Sequence, residues 1–116
     1  MTQFDELKRI LLGNEKYFRN YLAYAKKIAK KLLKDDKVRV IVFGSVVRAN
    51  YTPDSDIDLL IISEKAPTEP KKISDLTSKM LEAIQDIYAP FEIHLVKPKV
   101  YESWYKRFIG DNYIEV

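Results

Sequence analysis

The sequence predicts an α/β (α+β) fold in which a small mixed β-sheet is packed with helices. Three observations support this prediction. The 116 residues, 47% of them hydrophobic, are enough to build the core of one domain. Three short apolar runs have the composition of strands, and stretches with helical periodicity precede, separate and follow them. The predicted element order is ααβ-loop-βαβα, and we expect residues 1–116 to form a single domain.

The N-terminal part of the chain is predicted to be helical. Residues 3–12 are typical of a short helix that ends near Gly13, and Asn14 is a candidate N-cap for a second helix that continues to about Lys34. Apolar side chains recur in this second helix at spacings of three and four, while lysines occupy the other face. We expect its tyrosines to serve in core packing or in a protein interface: Tyr17, Tyr21 and Tyr24.

Strands and helices alternate in the remainder. The apolar pattern predicts strands over residues 38–43, 57–62 and 91–96, helices over 71–88 and about 98–109, and a short edge strand over 113–116. The helix between the second and third strands favours a parallel crossover, whereas the loop 44–55 has room for one helical turn only, so the first two strands should be antiparallel. The aromatic residues of the last helix are expected in the core or in an interface: Tyr101, Trp104, Tyr105 and Phe108.

The composition excludes several kinds of chemistry. There is no cysteine, which excludes disulfides, thiolate zinc sites and cysteine nucleophiles. His94 is the one histidine, so a site that needs two imidazoles is excluded as well. Any metal site must therefore depend on carboxylates, which favour hard ions such as Mg²⁺ or Mn²⁺.

The charges and the apolar runs indicate where the protein acts. With 32% charged residues and no apolar run near the ~18 residues of a membrane span, we expect a soluble, cytoplasmic protein. Basic residues outnumber acidic ones by 11 to 5 in residues 1–40, whereas acidic residues lead by 12 to 9 in residues 41–116. A solvated helix face explains the basic half, and a surface for a polyanion or an acidic partner is the alternative.

Polar side chains stand where three of the predicted strands end or begin. Gly44 and Ser45 close the first strand, Asp56 and Asp58 open the second, and the third opens with Glu92 and His94. Because the first two strands are antiparallel and the next two parallel, these three strand ends should meet at one end of the sheet.

The two aspartates predict a metal site. Asp56 and Asp58 are two residues apart on a strand, so they share a face, and the rest of that strand is apolar on both faces. Carboxylates at the tip of a buried strand are costly unless a cation neutralises them. A divalent metal ion is the natural partner, and Glu92 is the candidate third carboxylate.

The segment that precedes the two aspartates is suited to binding phosphate. Gly44 permits a strained turn or a close approach of the backbone to a bulky anion, and Ser45 offers a hydroxyl and an N–H to phosphate oxygens. Arg48 would reach the same phosphates or pair with a nearby acid. Together with a carboxylate metal site, these groups indicate phosphoryl or nucleotidyl transfer.

These residues resemble a known signature. Gly44-Ser45, ten intervening residues and Asp56-Ile57-Asp58 are similar to the motif of the polymerase-β nucleotidyltransferase superfamily, and the string FGSVVRANYTPDSDIDLLI resembles its minimal nucleotidyltransferases. The resemblance covers residues 38–96, which it identifies as the catalytic core. The helices within 1–35 and over 98–109 fit it loosely.

The resemblance implies a role for each motif residue. Gly44 and Ser45 would hold the triphosphate of an NTP, with ATP as the expected donor, while Asp56 and Asp58 would bind two Mg²⁺ ions, or Mn²⁺. Glu92 best matches the third carboxylate, which would ligate the catalytic metal and help deprotonate an attacking hydroxyl. That hydroxyl would attack the α-phosphate in line and release pyrophosphate.

Two positions depart from the family pattern. The family often has Gly after the arginine, where this chain has Ala49-Asn50, which leaves the loop conformation open. The third carboxylate is Glu rather than the commoner Asp. His94 lies on the same strand face as Glu92 and is a rival for the third-ligand position, its other interpretation being a hydrogen-bonded structural histidine.

The resemblance also suggests partners. Minimal nucleotidyltransferases often act with an all-α protein of the HEPN type as the antitoxin of a toxin–antitoxin pair. The first hypothesis is therefore transfer of AMP onto a hydroxyl of such a partner or of a small molecule, with a homo-oligomer as another way to complete the site. The alternatives are a non-catalytic module that masks a helical partner, and terminal nucleotide addition to RNA, which so short a chain does not favour.

Overall fold

A four-stranded mixed sheet with strand order β3-β2-β1-β4 forms the centre of the fold, as the sequence predicts. The computed structural model describes residues 13–30, 35–52 and 54–116. The helices and strands in them are α1 (residues 13–19), α2 (Tyr21–Lys30), β1 (Arg39–Phe43), β2 (Ile57–Ile62), α3 (Pro70–Glu82), β3 (Phe91–Val96), α4 and β4 (Tyr113–Glu115). The helix α4 has three consecutive parts: Pro98–Val100, a π-helical turn over Tyr101–Tyr105, and Lys106–Ile109.

The strand directions confirm the predicted topology. β1 and β2 are antiparallel with Phe43 opposite Asp58, and β2 and β3 are parallel with Asp58 beside Glu92. Strand β4 adds antiparallel to β1, with Tyr113 opposite Phe43. The end of β1 and the beginnings of β2 and β3 therefore lie together at one end of the sheet.

The two faces of the sheet are covered by different helices. The residues of β2 at positions 57, 59 and 61 pack into a cluster with side chains of α1, α2 and α3, including Tyr17, Ile28 and Met80. Positions 60 and 62 pack into a second cluster with Tyr101 and Ile109 of α4. Strand β2 is thus buried on both faces except at Asp58, whose side chain points to the α4 face.

The N-terminal helices differ from the prediction. Gly13 and Asn14 are both helical, so Gly13 does not end a helix and Asn14 is not an N-cap. Packing of the buried Tyr17 and Phe18 outweighs the low helix propensity of these two residues. A turn at Asn20 separates α1 from α2, and the side-chain amide of Asn20 donates to the carbonyl of Lys16 at 3.3 Å, in competition with the backbone. The predicted helix over 3–12 and residues 31–34 lie outside the described residues.

The helix α3 ends earlier than the apolar stripe suggests. It stops at Glu82 rather than near residue 88, and Gln85 has φ of 60°, which no helix accommodates. Ile87 is 53% exposed and so does not extend the buried stripe. Asp86 instead accepts hydrogen bonds from the Tyr17 hydroxyl and from the N–H of Tyr88. Within the described part of the chain, no helix combines the length and apolarity that crossing a membrane requires.

Candidate active site

Three side chains converge where the strand ends meet. Asp58 and Glu92 are neighbours in the register of β2 and β3, and His94 lies two residues after Glu92 on the same face. One ligand atom from each of these side chains lies within 4.8 Å of the other two. The spacing of two along a strand and the parallel pairing produce this group, because alternate residues share a face.

The imidazole of His94 lies between the two carboxylates. Its Nε2 is 3.8 Å from Asp58 Oδ1 and 3.8 Å from Glu92 Oε1, and this buried nitrogen makes no hydrogen bond to any described residue. Its Nδ1 is 3.2 Å from the hydroxyl of Tyr105 on α4. The side chains of Asp58 and His94 are about three-quarters buried, whereas that of Glu92 is more exposed.

Tyr105 belongs to the site although the sequence indicated only core or interface packing for it. Burial, and next the negative charge of Glu92, raise the pKa of its hydroxyl. The hydroxyl therefore keeps its proton at neutral pH and remains a hydrogen-bonding partner of His94. Its position depends on the π-helical turn, for which the sequence carries no local signal.

The glycine at the end of β1 is required by the neighbouring aspartate. Gly44 has φ of 88°, and a Cβ on it would overlap Asp58 Oδ2 and lie 3.3 Å from Asp58 Cγ. Its carbonyl accepts hydrogen bonds from the N–H groups of Val47 and Arg48, which forms the predicted single helical turn. Gly44 thus both shapes this turn and leaves room for the carboxylate of Asp58.

Ala49 follows Arg48, at a position where the family often has glycine. Its φ is 58°, in the left-handed region that glycine favours, and the Asn50 N–H donates to the carbonyl of Ser45 at 3.2 Å. The turn of residues 44–50 therefore keeps a left-handed residue at this position despite the change from Gly to Ala.

The other predicted site residues border this group. Ser45 is half-buried beside Gly44, and Arg48 is exposed, with none of the ion pairs between described residues involving it. Asp56 is exposed directly before β2, and among the described residues the group whose ligand atoms lie within 4.8 Å of one another contains Asp58, Glu92 and His94 but not Asp56.

A cavity of about 280 Å³ lies elsewhere on the molecule. Arg39 and Ile62, at the opposite end of β1 and β2, line it together with Tyr101 and none of the predicted site residues. Since it lacks the converging strand ends, we place the active site at the Asp58–Glu92–His94 group.

The donor atoms of this group fit a divalent cation. Carboxylate oxygens are the preferred ligands of Mg²⁺ and Mn²⁺, and the buried Nε2 of His94, which has no hydrogen-bond partner among the described residues, offers a lone pair beside them in the tautomer protonated at Nδ1. An ion here would neutralise the mostly buried carboxylate of Asp58 together with that of the exposed Glu92.

A comparison of the sequence with known protein families shows to which family the chain belongs. Residues 22–111 match the family described as "Nucleotidyltransferase domain", which covers most of the chain and the whole of the site. The chain belongs to this family. The Gly-Ser and Asp-x-Asp motifs of the sequence predict this membership.

One relative of this chain comes from Methanocaldococcus jannaschii and is named "Putative protein adenylyltransferase". The two proteins are 43% identical over 56 residues, which is 47% of this chain and 57% of the relative. The match thus spans little more than half the length of that curated relative.

Two solved structures share the fold of this chain. One is titled a "putative nucleotidyltransferase", is 28% identical, and superposes with a TM-score of 0.57 over 83% of this chain and 97% of that one. The other, with the same description and from Sulfolobus solfataricus, has a TM-score of 0.58 over 91% of this chain and 84% of that one. At 13% identity the second shows a common fold alone.

Proposed function

We propose that this nucleotidyltransferase moves AMP from ATP onto a hydroxyl of a partner protein and requires divalent ions, two Mg²⁺ or Mn²⁺. The observation that carries the proposal is the Asp58–Glu92–His94 group beside the turn at Gly44, within a nucleotidyltransferase domain. The name of the Methanocaldococcus jannaschii relative supports adenylyl transfer to protein as the specific reaction.

Each residue of the site has a role in this proposal. Asp58 and Glu92, with Asp56 at the exposed rim, hold the ions, which supply charge neutralisation for the triphosphate and lower the pKa of the attacking hydroxyl. The N–H of Ser45 and the turn after Gly44 bind phosphate oxygens, and the exposed Arg48 guanidinium reaches over them. Glu92 accepts the proton that the hydroxyl loses.

The bond changes balance without a further reactant. The acceptor oxygen forms a bond to the α-phosphorus while the bond from that phosphorus to the bridging oxygen breaks. Pyrophosphate leaves, and the acceptor gains an adenylyl group in place of its hydroxyl proton. Positioning and charge stabilisation account for most of the rate in reactions of this kind.

The exposed aromatic side chains near the site support a protein as the acceptor. Trp104 and Phe108 of α4 stack on each other with centroids 5.0 Å apart and are 54% and 65% exposed. Trp104 also contacts the ring of Tyr105, which binds His94. Large aromatic residues beside a site are typical of protein interfaces, and a helical HEPN-type toxin is the partner that we propose for this surface.

Intact-mass measurement tests the proposal. The purified protein is incubated with Mg²⁺, ATP and the product of its neighbouring gene as the candidate partner, which we expect to become heavier by one adenylyl group. Asp58→Asn and Asp56→Asn should each abolish the increment, because both remove a carboxylate ligand. Asp75→Asn, an exposed aspartate on α3, is the matched control and should retain it.

The masking alternative makes the opposite prediction. If Asp58→Asn still neutralises the partner while no NTP modifies it, the protein acts by binding and the adenylyl-transfer proposal is wrong. Modification of an RNA 3′ end rather than of the protein would instead favour terminal nucleotide addition.

A further inference from the structure

His94 presents a buried nitrogen to which no described residue of the protein is hydrogen-bonded. Nε2 is 3.8 Å from an oxygen of each of two carboxylates, which is beyond the range of a hydrogen bond. Leaving a buried polar nitrogen unsatisfied is unfavourable, and native structures rarely do so without a ligand or a functional reason. Packing alone therefore does not account for this position of the imidazole.

We propose that Nε2 of His94 is a ligand of the divalent ion and that it gives this site a preference for Mn²⁺ over Mg²⁺. The inference rests on the proposed function only in taking the Asp58–Glu92 group as a cation site. Donors that are each about 2.1 Å from one ion lie about 3 Å apart at right angles and about 4.2 Å apart on opposite sides of the ion. The two 3.8 Å separations, in a group whose three ligand atoms lie within 4.8 Å of one another, therefore need only a small inward movement of the side chains to hold an ion.

The hydroxyl of Tyr105 is placed to accept a hydrogen bond from the tautomer that a ligand needs. With Nδ1 carrying the proton and donating to this hydroxyl across 3.2 Å, the lone pair of the imidazole is on Nε2. Metal-bound histidines regularly have such a partner on the other ring nitrogen. The rings of Phe43 and Tyr105, each 5.7 Å from the imidazole centroid, restrict its rotation.

The presence of an imidazole nitrogen in place of a third carboxylate oxygen determines the metal preference of the site. Mg²⁺ favours sets made only of oxygen. Imidazole nitrogen is a ligand of transition-metal ions, and Mn²⁺ is the ion of that series that also suits carboxylates. A group of two carboxylates and one imidazole therefore differs in selectivity from a group of three carboxylates. His94→Asp would convert one into the other within the same site.

The single histidine makes the test direct. In protein without a histidine tag, labelled with ¹⁵N at histidine only, pulsed EPR of bound Mn²⁺ detects coupling to a directly bonded nitrogen that can come only from His94. We expect this coupling in the wild type and its loss in His94→Gln. If the variant does not fold, the wild-type spectrum alone shows whether His94 is a ligand of the ion.

Affinity measurements test the preference. We expect Tyr105→Phe to weaken Mn²⁺ binding about 10-fold, as is usual when the partner of a metal-bound histidine is removed, and His94→Gln to weaken it at least as much. Binding of Mg²⁺ should change less in both, and His94→Asp should move the preference toward Mg²⁺. Tyr113→Phe on β4 is the matched tyrosine control and should bind as the wild type does.

The outcomes separate this inference from the proposed function. Bound Mn²⁺ without nitrogen coupling, or the absence of saturable Mn²⁺ binding, overturns the role of His94, while the adenylyl-transfer assay judges the function by itself. Nitrogen coupling in a protein that transfers no nucleotide would keep His94 as a ligand and refute adenylyl transfer.

Discussion

The turn after β1 contains two residues with a left-handed backbone, a glycine that the neighbouring aspartate requires and an alanine that is strained. Gly44 has no Cβ, and the carboxylate of Asp58 occupies the space where one would be. Ala49 has a Cβ and adopts φ of 58°, where an L-residue is disfavoured by about 1–2 kcal/mol. At this turn a glycine is needed at one position and would relieve strain at the other.

Gly44→Ala should impair both folding and function. The left-handed backbone costs an alanine at least about 1 kcal/mol, and the new Cβ must displace the carboxylate of Asp58. We expect a lower free energy of unfolding in urea and loss of adenylyl transfer comparable to that of Asp58→Asn. A variant with wild-type transfer and wild-type Mn²⁺ affinity would show that the two residues do not compete for this space.

Ala49→Gly should stabilise the protein, which is unusual for a substitution to glycine. Relief of the left-handed strain exceeds the greater backbone entropy of glycine in the unfolded chain, for a net gain of about 0.5–1 kcal/mol. Urea unfolding of this variant beside Asn50→Gly, the neighbouring position without a positive φ, measures the difference. A free energy of unfolding of Ala49→Gly equal to or lower than that of the wild type would show that the backbone of Ala49 is not strained.

At the scale of elements, a carboxylate links the segment before β1 to the residue that follows β2. Ser63, the one buried polar side chain among the described residues, follows β2 and donates its hydroxyl proton to Asp35 Oδ2 at 2.6 Å. Asp35 precedes β1 and also accepts from the N–H of Lys37. The hydrogen bond from Ser63, and next that from Lys37, lower the pKa of Asp35.

The lowered pKa of Asp35 predicts a pH-dependent part of the stability. Because the folded-state pKa lies below the usual 3.8, the stabilisation is complete above that value and is lost as the pH falls through the folded pKa. We expect the free energy of unfolding to decrease more steeply between about pH 5 and pH 2 in the wild type than in Asp35→Asn. Asp36→Asn, at the adjacent exposed position, is the control, and identical slopes for wild type and Asp35→Asn would refute the linkage.

At the scale of the whole molecule, the sheet separates two surfaces that are candidates for the acceptor. The site and the aromatic pair Trp104–Phe108 are on the α4 side, whereas the basic α2 packs on the opposite face of the sheet. A hydroxyl that attacks a nucleotide at Asp58 must approach from the α4 side. The basic helices, which the charge asymmetry singled out, are therefore the less suitable surface for the acceptor.

Replacing Trp104 and Phe108 by alanine should weaken transfer to a protein acceptor. Loss of a central aromatic contact costs about 2 kcal/mol in protein interfaces, which corresponds to roughly a 30-fold lower kcat/KM. We expect the change mainly in KM for the acceptor, with unaltered Mn²⁺ affinity. Lys26→Glu with Lys27→Glu on α2 is the comparison, and a larger loss in that variant would place the acceptor on the opposite face.

The sequence by itself determined the sheet and most of the motif. The bounds of β2 and β3, their parallel pairing and the antiparallel pairing of β1 with β2 follow from apolar runs and connection lengths, which are local properties. The closeness of Asp58 and Glu92 follows from them, since register places residues of neighbouring strands side by side. The positions of the helix ends do not follow from local properties. Packing of Tyr17 outweighs helix propensity in α1, and α3 ends before Ile87, which is exposed.

Only the tertiary structure decided which side chains share the site. Glu92 and His94 were rivals in sequence, and the fold places both beside Asp58 while leaving Asp56 outside the group. The partner of His94 is on α4, where a π-helical turn alters the direction of Tyr105. Contacts of this kind join residues that are distant in the chain, and their geometry depends on how a helix packs on a sheet, which no local pattern encodes.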